Sequence, residues 1–231
     1  LAFRNQKHSE AFSYIGNQNN PPDLILKNGD AIEVKKIESL KSSIALNSSY
    51  PKSKLHSDEP MLTSYCRNCE DWQEKDIIYA IGIIKDKKLK LLWLIYGDCY
   101  AADREVYKRI ANTINTGINE IKDVEFSETK ELGRVNKVDP LGITYLRIRG
   151  MWGIQNPISV YDYLFENIDI DTFQLIVIMK EEKYLSFPYE VRKFVEAISD
   201  KNFIIKNVNI KSPNNPAQLI PAKMINYKVY T

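Results

Sequence analysis

The sequence predicts an α/β protein in which a mixed β-sheet is flanked by helices. Short apolar or alternating segments typical of strands recur along the chain, and two longer segments have the helical period of about 3.6 residues. No internal repeat and no linker rich in proline, glycine or serine separates these segments. The chain has 231 residues, which is enough to bury a large core, so we expect a single domain over residues 1–231.

A β-hairpin is predicted near the N-terminus. Residues 24–26 form a short apolar strand, Asn28-Gly29 is the dipeptide most typical of a tight hairpin turn, and residues 31–37 alternate apolar with charged side chains. Because side chains alternate along a strand, we expect Glu33 and Lys35 on one face and the apolar residues beside them on the other.

The remaining elements complete the predicted sheet and its helices. Strands are expected at residues 77–84, 89–96, 143–149, 173–179, 203–210 and 224–230. Helices are expected at residues 60–74, 103–121, 158–168 and 189–199, and a polar loop at residues 39–54. Trp93, Phe173 and Phe194 lie on apolar strands or helix faces, so we expect them in the core.

Composition excludes several classes of protein. Hydrophobic residues make up 44% of the chain and charged residues 27%, which excludes disordered and collagen-like chains. No apolar run approaches the length of about 18 residues that a membrane helix needs, so we expect no membrane partner. The three cysteines, without a secretory signal, predict reduced thiols in the cytoplasm. The chain starts without methionine, so we expect the native protein to begin earlier.

The candidate catalytic residues lie on the predicted hairpin. Asp23 stands just before the first strand, after Pro22, and Glu33 and Lys35 stand on the second strand. A hairpin brings the start of one strand close to the middle of the other, so both carboxylates can converge on one divalent cation, with Lys35 on the same side. Two carboxylates and a substrate phosphate oxygen suit Mg²⁺, and Lys35 would hold the attacking water. The alternative is that Glu33 and Lys35 form the solvated face of an edge hairpin.

A polar loop after the hairpin is the first candidate for DNA contacts. Ser48, Ser49, Lys52 and Lys54 supply hydroxyl and amine donors of the kind that bind phosphate groups, and Asn47 offers an amide to base edges or backbone. The alternative is an ordinary solvated loop. The net charge of +2 neither requires nor excludes a nucleic-acid partner, since the position of the charge matters more than its sum.

Several segments resemble a family of nucleases. Pro22-Asp23 followed by Glu33-Val34-Lys35 resembles the Pro-Asp…(Asp/Glu)-x-Lys motif shared by many restriction and repair nucleases. The similarity extends to the NgoPII family of type II restriction endonucleases through the runs at residues 16–23, 29–38, 45–55, 130–136 and 149–152. The resemblance covers nearly the whole chain.

The resemblance implies a restriction-endonuclease-like (PD-(D/E)XK) core in which Asp23, Glu33 and Lys35 are catalytic and the two carboxylates bind Mg²⁺. It implies cleavage of double-stranded DNA at the palindrome GGCC by a homodimer. It also implies a cognate methyltransferase, which acts on the same site but need not bind the endonuclease, and a helical N-terminal segment ahead of residue 1.

Arginines are the candidate readers of the guanines in GGCC, because a bidentate arginine is the commonest specific contact to guanine. Arg147 and Arg149 are two residues apart on a predicted strand, so both are expected to project from one face. Arg134, Asn136 and Lys137, expected in a loop, are the rival readers. The alternative is that one or both of the first two arginines pair with acidic residues of the same sheet or hold phosphate groups.

Two other functions remain open from the sequence. One is a non-catalytic, sequence-specific DNA-binding protein on the same fold, and the other is a structure-specific DNA repair nuclease. The presence of Asp23, Glu33 and Lys35 together favours an enzyme, because a binding module has no need of all three. The family-like segments outside the hairpin favour a restriction endonuclease over a repair nuclease.

Overall fold

The protein is described by a computed structural model that covers residues 11–17, 20–165, 168 and 172–229. Its strands are β1 (Phe12–Asn17), β2 (Asn20–Leu26), β3 (Ala31–Ile37), β4 (Ile44–Asn47), β5 (Lys54–His56), β6 (Glu74–Lys85), β7 (Lys88–Tyr96), β8 (Glu125–Phe126), β9 (Gly133–Lys137), β10 (Leu146–Ile148), β11 (Trp152–Ile154), β12 (Phe173–Lys180), β13 (Phe203–Lys211) and β14 (Leu219–Val229). Its helices are α1 (Ser64–Arg67), α2 (Gly97–Tyr100), α3 (Arg104–Asn119), α4 (Pro157–Val160), α5 (Glu181–Ser186) and α6 (Tyr189–Glu196), with a 3₁₀ turn at Asp162–Leu164.

Most strands form one large mixed sheet. Its strand order is β1-β2-β3-β6-β7-β12-β14-β13, and β5 adds to β6 outside this path. The pairs β3–β6 and β7–β12 are parallel, and the other neighbours in this order are antiparallel. The prediction of a mixed sheet with helices is therefore confirmed. No helix in the described part of the chain is both long and apolar enough to cross a membrane.

The core lies on the central strands of this sheet. Ile81 on β6, Trp93 on β7 and Ile176 on β12 are fully buried. The Trp93 ring packs against Tyr161, at a centroid distance of 6.0 Å, and edge-on against Phe165, at 5.7 Å. The apolar side chains of these central strands are buried because other segments of the chain, such as the one with Tyr161 and Phe165, cover the sheet there.

The predicted hairpin is confirmed, and its orientation places the charged residues on the covered side. In the parallel pairing of β3 with β6, Glu33 lies beside Tyr79 and Lys35 beside Ile81. Neighbours in register project from the same face, and both β6 residues are buried. On the opposite face of β3, Val34 is 50% exposed. The charged face of the hairpin therefore belongs to the interior side of the sheet.

Two smaller sheets stand beside the large one and bring distant segments together. One has the order β10-β9-β8, and the other pairs β11 with β4. In the second sheet, Trp152 lies opposite Asn47. Residues 48–49, which follow β4, are thereby held next to residues 149–151, which precede β11.

Other sequence predictions were confirmed in part or were wrong. The long helix at residues 103–121 is confirmed as α3, but residues 60–74 contain only α1, because the chain leaves the helix at Asn68 and enters β6 at Glu74. The predicted loop at 39–54 contains β4 and reaches β5. Trp93 is buried as expected, whereas Phe194 is 73% exposed, because the apolar face of α6 does not turn into the core.

The turn into α2 supplies a test of the packing behind the loop at residues 48–53. A Cβ atom on Gly97 would lie 2.4 Å from the Lys52 carbonyl oxygen and 2.6 Å from that of Ser53. The variant Gly97→Ala should lower the free energy of unfolding by about 1–3 kcal/mol, because the backbone has to move. Gly117 lies in α3, and a Cβ atom added there would have nothing within 4 Å. The variant Gly117→Ala should therefore raise the free energy of unfolding by about 0.5–1 kcal/mol.

Urea denaturation followed by circular dichroism measures both glycine variants. An unchanged free energy of unfolding in Gly97→Ala would contradict the close approach of this turn to residues 52–53.

Candidate active site

A cleft of about 570 Å³ opens beside the hairpin. The hairpin contributes Asp23, Glu33 and Lys35 to its lining, and the segments next to the small β10-β9-β8 sheet contribute Glu131 and Arg149. The cleft is further lined by Asn17, Asn20, Pro21, Leu46, Ser48, Ser49, Met61, Gly150 and Met151. The three predicted catalytic residues thus face one space together with candidate DNA contacts.

Asp23 is oriented by the hairpin itself. It lies on β2, and its Oδ2 atom accepts a hydrogen bond of 2.7 Å from the backbone N–H of Val34 on β3. This bond holds the carboxylate between Glu33 and Lys35 along the second strand. The tight Asn28-Gly29 turn makes this contact possible, because it sets the register between the two strands.

Glu33 and Lys35 form a close, largely buried ion pair. The Lys35 Nζ atom lies 2.6 Å from Glu33 Oε1. The side chain of Lys35 is only 24% exposed and that of Glu33 only 13%. Burial raises the pKa of the Glu33 carboxyl, and the neighbouring Lys35 ammonium opposes this shift. The interpretation of these residues as the solvated face of an edge hairpin is therefore wrong. Removing a carboxylate from water is costly unless a cation or a donor compensates it.

One oxygen of Glu33 has no such compensation. Its Oε2 atom is buried without a hydrogen-bond partner among the described residues. Across the described part of the chain no group of three or more histidine, cysteine, aspartate or glutamate side chains is placed to hold a metal. Mg²⁺ is commonly held by one or two carboxylates, with water and substrate phosphate oxygens as the other ligands. The pair Asp23 and Glu33, with an unsatisfied oxygen, fits that set of donors.

The loop after β4 contributes hydroxyl groups to the cleft but not the ammonium of Lys52. Ser48 and Ser49 line the cleft, whereas Lys52 is 4% exposed. Its Nζ atom donates to Ser49 Oγ at 3.0 Å and lies 3.5 Å from Glu59 Oε2. Burial lowers the pKa of Lys52, and the Glu59 carboxylate opposes this shift. Lys52 supports the cleft from behind, and its predicted phosphate contact would require the ammonium to leave these partners.

Other predicted DNA contacts lie outside the cleft lining. Lys54 is on β5 and pairs with Asp76 at 2.5 Å, because the antiparallel β5–β6 register places the two residues opposite each other. Arg134, Asn136 and Lys137 lie on strand β9 and not in the expected loop. Their role in base reading stays a prediction, as does that of Asn47, whose side chain lies outside what the structure describes.

Two of those β9 side chains bind each other. Arg134 Nε donates to Asn136 Oδ1 at 2.9 Å, while Lys137 pairs with Glu125 at 2.6 Å. The β9 strand exists because it pairs on both sides, with β8 and with β10, which its mixed polar sequence does not reveal.

The predicted strand at residues 143–149 is shorter in the structure, so Arg147 lies on β10 and Arg149 directly after it, and both bind the carboxylate of Glu131. Arg149 lines the cleft together with Glu131, whereas Arg147 does not belong to the lining. This is the acidic pairing that the sequence left open as an alternative. Glu131 itself was missed, although it is one of the few acidic residues in the basic stretch at 130–155.

Comparison with known proteins identifies the family of this chain. The chain matches the NgoPII restriction endonuclease family over residues 2–211. It belongs to that family. It is 52% identical over 222 residues to the type II restriction enzyme NgoPII of Neisseria gonorrhoeae, an alignment that covers 96% of this chain and 79% of the relative. No solved structure matches the chain significantly.

The NgoPII family match includes every residue that lines the cleft. It begins ahead of the hairpin, passes through the loop after β4 and the small β10-β9-β8 sheet, and ends with the last residue of β13. Beyond the matched range lies β14, which pairs with β12 and β13 in the large sheet and is distant from the cleft lining in sequence.

Proposed function

We propose that this protein is a Mg²⁺-dependent type II restriction endonuclease that hydrolyses phosphodiester bonds in double-stranded DNA at the palindrome GGCC. The observation that carries the proposal is the convergence of Asp23, Glu33 and Lys35 in one cleft, with Glu33 and Lys35 in a largely buried ion pair. Membership of the NgoPII family and the relative named as a type II restriction enzyme support the reaction type. The GGCC site rests on the resemblance to that family.

In this proposal the hairpin is the catalytic part of a PD-(D/E)XK core. Asp23 and Glu33 would hold Mg²⁺, which supplies charge stabilisation at the scissile phosphate and lowers the pKa of a bound water. Lys35 would hold the attacking water by donating a hydrogen bond to its oxygen, and its positive charge would stabilise the negative charge that develops on the phosphate oxygens. The ion pair with Glu33 keeps the ammonium in place before the substrate arrives.

The other cleft residues position the substrate. The hydroxyl groups of Ser48 and Ser49 can donate hydrogen bonds to phosphate oxygens, which sets the position of the duplex without reading its sequence. The buried Lys52 fixes Ser49 by its hydrogen bond from behind the cleft. Arg149 is the cationic side chain on the opposite lining segment and faces the same space as the catalytic residues.

The proposed assembly is a homodimer of single-domain chains that acts on DNA in the cytoplasm. A palindrome has a two-fold axis, and two identical active sites related by such an axis can cut both strands. A cognate methyltransferase that modifies the same site would protect the DNA of the host cell.

The catalytic assignment predicts that cleavage and binding separate in single variants. Asp23→Ala and Lys35→Ala should each lower the cleavage rate roughly 100-fold or more, because each removes charge stabilisation at the reacting phosphate. Binding to a GGCC duplex, measured with Ca²⁺ in place of Mg²⁺, should remain. The matched control is Lys36→Ala, since Lys36 is the next residue on β3 and forms a solvent-exposed pair with Glu38.

Cleavage by Lys35→Ala at the wild-type rate would contradict the assignment. Binding of the GGCC duplex by the wild-type protein with no cleavage in Mg²⁺ would favour the non-catalytic DNA-binding protein. Cleavage confined to branched or damaged DNA would favour the repair nuclease.

The symmetry argument predicts two chains on each duplex. Sedimentation equilibrium of the protein with a short GGCC duplex should give the mass of two chains and one duplex. A mass that corresponds to one chain on one duplex would contradict the homodimer.

A further inference from the structure

Two guanidinium groups share one carboxylate at the edge of the cleft. Arg147 binds Glu131 in a fork, with Nε 3.0 Å from Oε2 and Nη2 2.6 Å from Oε1. Arg149 binds the same Oε1 atom through its Nε, at 2.5 Å. The Glu131 side chain is 14% exposed, whereas those of Arg147 and Arg149 are 45% and 57% exposed. The carboxylate is thus the enclosed centre of the cluster, and the arginines form its outer part.

A carboxylate is an unexpected group in a cleft that receives a polyanion. Glu131 lines the cleft, where its negative charge alone would repel phosphate groups. Its presence is explained by the arginines, because two guanidinium groups so close together repel each other unless an anion lies between them. Hydrogen bonds from Arg147 and Arg149 hold the pKa of Glu131 below its usual value, so the carboxylate stays ionised and the cluster carries a net positive charge.

The hydrogen-bonding pattern leaves the terminal guanidinium edge of Arg149 available at the cleft. Arg149 uses only Nε, so its two terminal Nη nitrogens have no partner among the described residues. Arg147 uses the edge formed by Nε and Nη2. Bidentate recognition of guanine needs two N–H donors from one edge of an arginine. The terminal edge of Arg149 meets this requirement, and Arg149 lines the cleft.

We propose that Glu131 is a positioning residue for base recognition: it fixes the guanidinium of Arg149 so that its terminal edge meets a guanine of the cleavage site. The proposal rests on the proposed endonuclease function. Arg147 holds the other side of the carboxylate and keeps it in place. An Arg149 side chain released from Glu131 is a flexible cation that any phosphate group attracts, so discrimination between sequences falls while general attraction to DNA is retained.

The test compares Glu131→Gln with the wild-type protein on a GGCC duplex and on single-base variants of that site. The ratio of cleavage rates on GGCC and on the best variant should fall by roughly 5- to 100-fold, the discrimination that one bidentate contact supplies. Binding to a duplex without the site should be unchanged or tighter, because a negative charge has been removed. A purely structural ion pair would not change the ratio.

Asp58→Asn is the matched control. It also removes a carboxylate from an arginine, since Asp58 Oδ1 accepts from Arg104 Nη1 at 2.8 Å, but Asp58 does not line the cleft. Its discrimination ratio should equal that of the wild type. Glu131→Asp, which keeps the charge but withdraws the carboxylate from Arg149, should shift the ratio in the same direction as Glu131→Gln.

A double-variant comparison shows whether Glu131 acts through Arg149. In an Arg149→Ala background, adding Glu131→Gln should cause no further loss of discrimination. A further loss there, or an unchanged ratio in both Glu131→Gln and Glu131→Asp, would overturn the proposal. A wild-type protein without any preference for GGCC would instead contradict the proposed function, so the two failures are distinguishable.

Discussion

The parallel pairing of β3 with β6 determines where the candidate catalytic residues lie. Because residues in register project from the same face, Glu33 and Lys35 share the interior face with Tyr79 and Ile81. The pairing therefore removes an ion pair from most of its contact with water, at the point where the cleft cuts into that face. A slip of one residue would turn both charges to the opposite, more exposed side of the sheet.

The same register connects β3 to the loop that lines the cleft. The Tyr79 hydroxyl, beside Glu33, accepts a hydrogen bond of 2.6 Å from the backbone N–H of Lys52 and donates one of 3.2 Å to its carbonyl oxygen. Lys52 in turn holds Ser49 from behind. Tyr79 on β6 thus connects β3 to the loop. The pairing of β4 with β11 holds Arg149, which precedes β11, on the other side of that loop.

The sequence alone predicts the local parts of this arrangement. The Asn28-Gly29 turn, the alternation along β3 and the period of α3 each depend on residues close in the chain, and each is confirmed. The spacing of Asp23, Glu33 and Lys35 predicts that they lie close together, and they line one cleft, because a hairpin allows few geometries. The spacing of Arg147 and Arg149 likewise placed them close together, since both bind Glu131, although β10 ends at Ile148.

The parts that could not be predicted depend on distant residues. Alternation cannot say which face of β3 is covered, since that depends on β6, more than 40 residues later in the chain. Lys52, in a polar sequence, is buried because Glu59 and Tyr79 reach it from other segments. Phe194 is exposed although α6 is amphipathic, because amphipathicity shows only that one face is apolar and not which surface covers it.

The most direct test of the account is digestion of DNA of known sequence by the wild-type protein in Mg²⁺, followed by sequencing of the ends. The account predicts breaks in both strands at GGCC and at no other sequence, since Asp23, Glu33 and Lys35 face the same cleft as the arginine that Glu131 holds. Intact DNA, or breaks distributed without regard to sequence, would contradict it.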